Sequence, residues 1–166
     1  MFAMGFGIIF TRKNTPKELM LRGVKIYLLG YVLNFFRYGI FNLTEAIFTG
    51  EFRSDMLEAL FGMDILQFAG LALIFTGILK KLKLREIHML AIAGVLSVIG
   101  SVIPAIDTGN FAGNWLLGHF VYTDPEACTF VFFNWYIFVA IGMVFGSILR
   151  KTEDTDRLYK RLLIVS

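Results

Sequence analysis

Charged side chains and cysteines are scarce in this sequence of 166 residues. Charged residues make up 17% of the chain, against about 25% in an ordinary soluble domain, and 57% of the residues are hydrophobic. The single cysteine, Cys128, excludes an internal disulfide, so a disulfide-stapled secreted domain is not predicted. The composition favours a chain that is solvated by lipid.

Several motifs that carry chemistry are also missing. The sequence contains no GxxxxGK[ST] phosphate loop, no HExxH, no GxSxG nucleophile elbow and no pair of cysteines for a metal. We therefore predict no metal site and no bound cofactor. The cations lie in groups separated by apolar runs, so nucleic-acid binding is not expected.

The apolar runs predict membrane-spanning helices. A helix needs roughly 20 apolar residues to cross a hydrocarbon core of about 30 Å, and four runs approach this length: residues 20–42, 59–79, 87–106 and 127–149. We predict an all-α, polytopic transmembrane helix bundle of four full spans plus a truncated helix at residues 1–11. A soluble bundle is disfavoured, because four buried helices in so short a chain leave little polar surface.

Both chain ends contain short apolar segments. Residues 1–11 are too few to cross a bilayer, and the closing residues RLLIVS begin a new apolar run. We expect residues 1–166 to be a single membrane domain and a fragment of a longer protein. Frayed tails are the alternative explanation.

The charges alternate along the chain. Fourteen of the sixteen lysines and arginines fall within residues 12–25, 80–85 and 150–161, and the intervening connections are mostly acidic. Positively charged loops stay on the cytoplasmic side of a membrane. We therefore predict that residues 12–25, 80–86 and 150–161 are cytoplasmic and that residues 43–62 and 107–126 lie outside.

Polar residues near two helix ends are the first candidate site. Asn34, Arg37 and Tyr38 share one helix face by their spacing, and Asp64 and Gln67 share another. Both groups fall in the outer half of helices joined by one connection, so an Arg37–Asp64 pair is geometrically feasible. Two interpretations stay open, a structural clamp and the wall of a polar pocket.

A second group of candidates lies in the later outer connection and the helix after it. His119 is close in sequence to Trp115 and Asp124, so either an aromatic belt or a catalytic His–Asp arrangement fits. Asn134 and Trp135 interrupt a very apolar helix, where the asparagine either bonds a neighbouring helix or lines a cavity. The Gly142-x-x-x-Gly146 spacing favours close packing within the bundle over a dimer face, and an oligomer is left open.

Five segments carry a family resemblance: FAMGFGIIF, RKNTPKELMLRG, VKIYLLGYVLNFFRYGIFN, MDILQFAGLALIFTGIL and FFNWYIFVAIGMVFGSILRK. Together they resemble the multi-span membrane acyltransferases related to heparan-alpha-glucosaminide N-acetyltransferase, which include bacterial integral-membrane enzymes. Met4-Gly5 matches a small-residue helix end of that family, residues 65–70 match its V/I-L-Q-x-x-G run, and residues 132–135 match its aromatic helix entry.

The resemblance implies transfer of an acyl group, often acetyl, from acyl-CoA as co-substrate on the cytoplasmic side. The acceptor would be the hydroxyl or amine of a carbohydrate or related molecule on the far side, and the location would be a bacterial cytoplasmic membrane. The family's essential histidine belongs to a region that would precede Met1, so no catalytic residue is carried over. Gln67 and Asn134 carry over only as candidate pocket-lining residues. A transporter portion or a scaffold subunit is the alternative function.

Overall fold

The computed structural model of the chain describes residues 1–12, 14–50, 60–123 and 130–152. Every regular element in these ranges is helical, which confirms the predicted all-α class. In chain order the elements are α1 (Phe2–Phe10), α2 (Pro16–Asn34), a π-helical turn (Phe35–Gly39), α3 (Ile40–Thr49), α4 (Ile65–Lys81), α5 (Glu86–Val102), α6 (Phe111–Gly118) and α7 (Phe132–Lys151).

Within the described residues, two helical stretches are long and apolar enough to cross a membrane, Pro16–Phe48 and Phe132–Lys151. They overlap two of the four predicted spans. The other two predicted spans form α4 and α5, which have 17 residues each. A helix of that length is about 25 Å long, somewhat less than the hydrocarbon core of a bilayer.

Local sequence explains why α4 and α5 are shorter than the apolar runs of residues 59–79 and 87–106. Asp64 Oδ1 accepts a hydrogen bond of 2.7 Å from the Ile65 N–H, and Gln67 Oε1 accepts one of 3.2 Å from the Asp64 N–H. The Asp64 side chain also accepts from the Gln67 N–H, which completes a capping box and makes Ile65 the first residue of α4. At the C-terminal end of α5, Pro104 disfavours helical backbone at Ile103, which is extended.

The helix at residues 20–42 is longer than predicted at both ends. Thr15 and Glu18 form a capping box, and Pro16 takes the first helical position, where its missing N–H costs nothing. Helical backbone then runs through the π-helical turn into α3, until Gly50 ends it at a φ of 73°. Residues 16–49 are therefore one continuous helical stretch.

The helices pack in pairs around α7. α2 packs against α4, while α1 and α5 both pack against α7. Aromatic rings join α4 to α7, with the Phe75 ring centroid 5.0 Å from that of Tyr136. The Tyr136 hydroxyl lies 3.0 Å from the Thr76 hydroxyl, and both residues are fully buried. This contact satisfies two hydroxyl groups inside an otherwise apolar core.

Glycines allow the closest helix contacts. A Cβ placed at Gly142 of α7 would lie 2.2 Å from the Phe2 carbonyl oxygen of α1, and one at Gly70 of α4 would lie 2.6 Å from Tyr27 Cβ of α2. Small residues at such contacts let helix backbones approach closely in membrane proteins. The structure therefore uses Gly142 for packing within the chain.

Large apolar side chains face outward from the long helical stretch and from α5. Phe48 is 89% exposed and Val102 is 75% exposed, and the stretch also exposes Phe36 and Phe41. An apolar surface of this extent is unusual for a protein that is surrounded by water. It is the surface expected of helices that contact lipid.

Candidate active site around His119

The turn before α6 holds that short helix in place. Asp107 Oδ1 accepts hydrogen bonds from the Gly109 N–H (2.8 Å) and from Asn114 Nδ2 (2.9 Å). These two bonds lower the pKa of Asp107, because they stabilise its carboxylate form. Asn110 caps α6 by accepting a bond of 2.7 Å from the Gly113 N–H. The turn thereby fixes the helix from which His119 extends.

The His119 ring contacts two tyrosines of α2. Its Nε2 lies 2.9 Å from the Tyr27 hydroxyl and 2.9 Å from the Tyr31 hydroxyl, and these two hydroxyls are 3.1 Å apart. Its Nδ1 lies 2.7 Å from the Trp115 carbonyl oxygen. We call His119, Tyr27 and Tyr31 the histidine–tyrosine cluster.

The carbonyl partner determines which ring nitrogen of His119 carries the proton. A carbonyl oxygen can only accept, so Nδ1 must carry the hydrogen that it donates to Trp115. In the neutral ring Nε2 then has a free lone pair, which accepts from a tyrosine hydroxyl. The two tyrosine oxygens can pass hydrogen bonds to each other and to Nε2. The cluster is therefore a hydrogen-bonded group of two hydroxyls and the unprotonated Nε2.

Burial keeps the His119 ring neutral. The residue is 4% exposed. Burial lowers the pKa of His119 below its ordinary value of 6.5, and this effect outweighs the Trp115 carbonyl, which acts in the opposite direction. At neutral pH the ring is therefore uncharged, and its unprotonated Nε2 accepts a hydrogen bond from a tyrosine hydroxyl.

This lowered pKa predicts how stability depends on pH. As the pH falls below 6.5, the unfolded chain takes up a proton on His119 before the folded protein does, so the free energy of unfolding decreases. Above that pH both states are neutral and the contribution is constant. We expect His119→Gln to reduce the loss of stability between pH 7 and pH 5, as measured by thermal unfolding. An unchanged pH dependence in the variant would contradict a buried, neutral His119.

Asn34 of α2 and Gln67 of α4 lie at the contact between these two helices. Asn34 Nδ2 donates to the carbonyl oxygens of Leu60 and Gly62 at 3.3 Å each, so its amide clamps the segment before α4. Gln67 is fully buried, and a Cβ at Gly30 would lie 2.7 Å from its side-chain amide carbon. Its Oε1 accepts from the Asp64 N–H, which leaves Nε2 without a partner among the described residues.

Arg37 and Asp64 come together as the sequence indicated. Arg37 Nη1 lies 3.8 Å from Asp64 Oδ2, and the two side chains are 67% and 42% exposed. An exposed pair at this distance contributes little to stability. The prediction that Asn34 and Arg37 share one helix face was wrong, because Asn34 is buried while Arg37 is exposed. The π-helical turn that starts at Phe35 breaks the regular helical spacing.

Asn134 and Trp135 form no hydrogen bond or ring contact with the histidine–tyrosine cluster within the ranges that the structure describes. Asn134 Oδ1 is buried against α5, where a Cβ at Gly100 would lie 2.2 Å from it, and it has no hydrogen-bond partner in the described part of the chain. Trp135 packs on Phe130 and Phe138, with ring centroids 5.3 Å and 5.6 Å away. Asp124, the other member of the considered His–Asp arrangement, is outside the described residues.

Sequence reasoning missed Tyr27 and Tyr31 as partners of His119. Both lie in a predicted span, four residues apart, with Asn34 three residues further on. Residues at this spacing share one helix face, so three polar groups on one face of an apolar helix were a usable signal. The pairing itself depends on a contact across 92 residues of sequence for Tyr27, which no local pattern encodes.

Comparison with protein families places the sequence in a known class of protein. The family model for the catalytic region of heparan-alpha-glucosaminide N-acetyltransferase matches residues 1–163. The chain belongs to this family. The resemblance of its five segments is thereby confirmed, and the family is one of membrane acetyltransferases. No curated protein and no solved structure matches the chain.

Proposed function

We propose that the chain is part of an integral-membrane acyltransferase that moves an acetyl group from a coenzyme A donor to a hydroxyl or amine of a sugar-like acceptor. The observation that carries this proposal is the family match over residues 1–163. The histidine–tyrosine cluster supports it, because acyl transfer requires a base for the acceptor.

The family resemblance assigns no catalytic residue within residues 1–166, and it is the geometry around His119 that suggests the base. In the proposed reaction His119 receives the acceptor's proton. The proton passes through a tyrosine hydroxyl to Nε2, while the acceptor oxygen or nitrogen attacks the thioester carbonyl. The carbon–sulfur bond then breaks, and the coenzyme A thiolate leaves and takes up a proton. Donors near the carbonyl oxygen stabilise its developing negative charge. Gln67 Nε2 and Trp115 Nε1 are buried donors without a hydrogen-bond partner among the described residues, and either can take this role.

We also propose the full topology, with four spans in a bacterial cytoplasmic membrane. Residues 12–25, 80–86 and 150–161 are then cytoplasmic, and His119 is near the outer face. The charge pattern supports this arrangement. α4 and α5 are short for a span, but Lys80 and Lys81 can extend their side chains to the headgroups and the bilayer can thin locally.

Reporter tags test this topology directly. Tags inserted after Asn14 and after Lys81 are expected on the same face of the membrane, and a tag after Gly109 on the other face. Protease accessibility in sealed vesicles gives the readout. Tags after Asn14 and Lys81 on opposite faces would overturn the number of spans.

Transfer of label from acetyl-CoA tests the activity. We expect proteoliposomes that contain the protein to transfer labelled acetyl to a hexosamine or another amino or hydroxyl sugar, and protein-free vesicles to transfer none. Solute flux without acetyl transfer would instead favour a transporter portion. Neither transfer nor flux would favour a scaffold subunit.

A further inference from the structure

A charged cavity lies at the opposite end of the bundle from the predicted outer connections. Its volume is about 340 Å³, within the range of small-ligand sites. It is formed where α1, α4, α5 and α7 end or begin. The polar residues that line it are Asn14, Lys80, Glu86, Ser147, Arg150 and Lys151.

The lining carries an excess of positive charge. Lys80, Arg150 and Lys151 contribute three cations, and Glu86 contributes one carboxylate. Among the described residues, only Arg37 and Asp64 form an ion pair within 4.0 Å, so Glu86 neutralises none of these cations by direct contact. The cavity therefore has the charge that attracts an anion.

Two of the cations are held in place by the protein. Lys80 Nζ donates to Asn14 Oδ1, and Arg150 Nη1 donates to the Ile9 carbonyl oxygen at 3.5 Å, at the end of α1. Burial lowers the pKa of Lys80; Glu86 opposes this shift and Arg150 adds to it. The cost of keeping this ammonium group charged would be reduced by a bound anion.

Stabilisation of helix C-termini explains these cations only in part. Lys80 is in the last turn of α4, and Arg150 and Lys151 are in the last turn of α7, where cations interact favourably with the helix dipole. Dipole stabilisation does not require the two helix ends to converge on one cavity, nor does it place Asn14 and Ser147 on the same wall.

We propose that this cavity binds a phosphate group, carried either by an anionic membrane lipid or by a nucleotide. Lysine and arginine side chains pair with phosphate through charge-assisted hydrogen bonds, and Asn14 and Ser147 supply neutral donors. Basic pockets between helix ends on the cytoplasmic side are typical sites for lipid headgroups. The nucleotide source rests on the proposed acyl-CoA donor, whereas the lipid source does not.

Two binding measurements on the intact protein separate the sources. Adenosine 3′,5′-bisphosphate, the nucleotide part of coenzyme A, is titrated into protein in phosphatidylcholine nanodiscs. Retention of phosphatidylglycerol is measured by native mass spectrometry after extraction from mixed bilayers. Lys151→Gln is the main variant because Lys151 is exposed, Lys80→Gln is the second, and Lys25→Gln is an exposed cation outside the cavity as control.

We expect Lys151→Gln and Lys80→Gln each to weaken binding of one of the two ligands about tenfold. The control variant Lys25→Gln should bind that ligand as the wild type does. Weakened bisphosphate binding supports the nucleotide source, and lost phosphatidylglycerol supports the lipid source. If the wild-type protein bound neither ligand, or if Lys25→Gln weakened binding as much as the cavity variants, the proposed site would be overturned. Because neither readout involves acetyl transfer, failure here leaves the proposed reaction standing, and loss of transfer with binding intact leaves this site standing.

Discussion

Replacing Gly5 with alanine is expected to destabilise the protein by about 1–3 kcal/mol, the range for overpacked interiors. A Cβ at this position of α1 would lie 1.9 Å from the Val139 carbonyl oxygen of α7. The clash is with backbone, so no side-chain rotation can relieve it and the helices would have to separate. A Cβ at Gly142 on the facing helix would lie 2.2 Å from the Phe2 carbonyl oxygen, so Gly142→Ala is expected to act in the same direction.

The matched control for this experiment is in the same helix. A Cβ at Gly7 would meet nothing within 4 Å, so Gly7→Ala is expected to be neutral or to stabilise α1 by up to about 1 kcal/mol. Thermal unfolding in detergent or in nanodiscs compares the variants. Equal melting temperatures for Gly5→Ala and Gly7→Ala would contradict the close contact between α1 and α7.

The second large effect concerns catalysis. His119→Gln is expected to reduce acetyl transfer by about 10²–10⁴-fold, the usual contribution of a positioned base. Glutamine can still form hydrogen bonds with the tyrosine hydroxyls, but its side chain cannot take up a proton at neutral pH. Tyr27→Phe is expected to reduce transfer less, because the Tyr31 hydroxyl also lies 2.9 Å from Nε2.

His88→Gln is the control for this substitution. His88 is an exposed residue near the start of α5 and is not part of the histidine–tyrosine cluster, so its variant should transfer acetyl like the wild type. Thermal unfolding of both variants shows whether each is folded. A folded His119→Gln protein that keeps wild-type transfer would assign the base to another residue.

The predicted fold came from charge and hydropathy, and it was accurate where those determine structure. The apolar runs correctly predicted that α4, α5 and α7 are helices, because a helix satisfies its backbone hydrogen bonds internally in an apolar environment. Their ends were less accurate, because Asp64 and Pro104 fix them through local backbone chemistry. The Asp64-x-x-Gln67 spacing in the sequence is that of a capping box, and it was sufficient to predict that α4 starts at Ile65.

The site was only partly predictable. The Arg37–Asp64 contact follows from two helices joined by one connection, so sequence order alone suggested it. To predict the contact of His119 with Tyr27, one must know which face of α2 meets the turn after α6. The orientation of α2 depends on how it packs against α4, where the absence of a side chain at Gly30 leaves room for the Gln67 amide. No short sequence motif encodes this packing.

Nitrogen-15 NMR of histidine-labelled protein tests most directly whether His119 is the proton acceptor. The chain has two histidines, so the His88→Gln variant leaves a single labelled ring. At pH 7 we predict a neutral ring with its proton on Nδ1 and a free lone pair on Nε2. A ring protonated on both nitrogens at that pH, or one with its only proton on Nε2, would contradict the role proposed for His119.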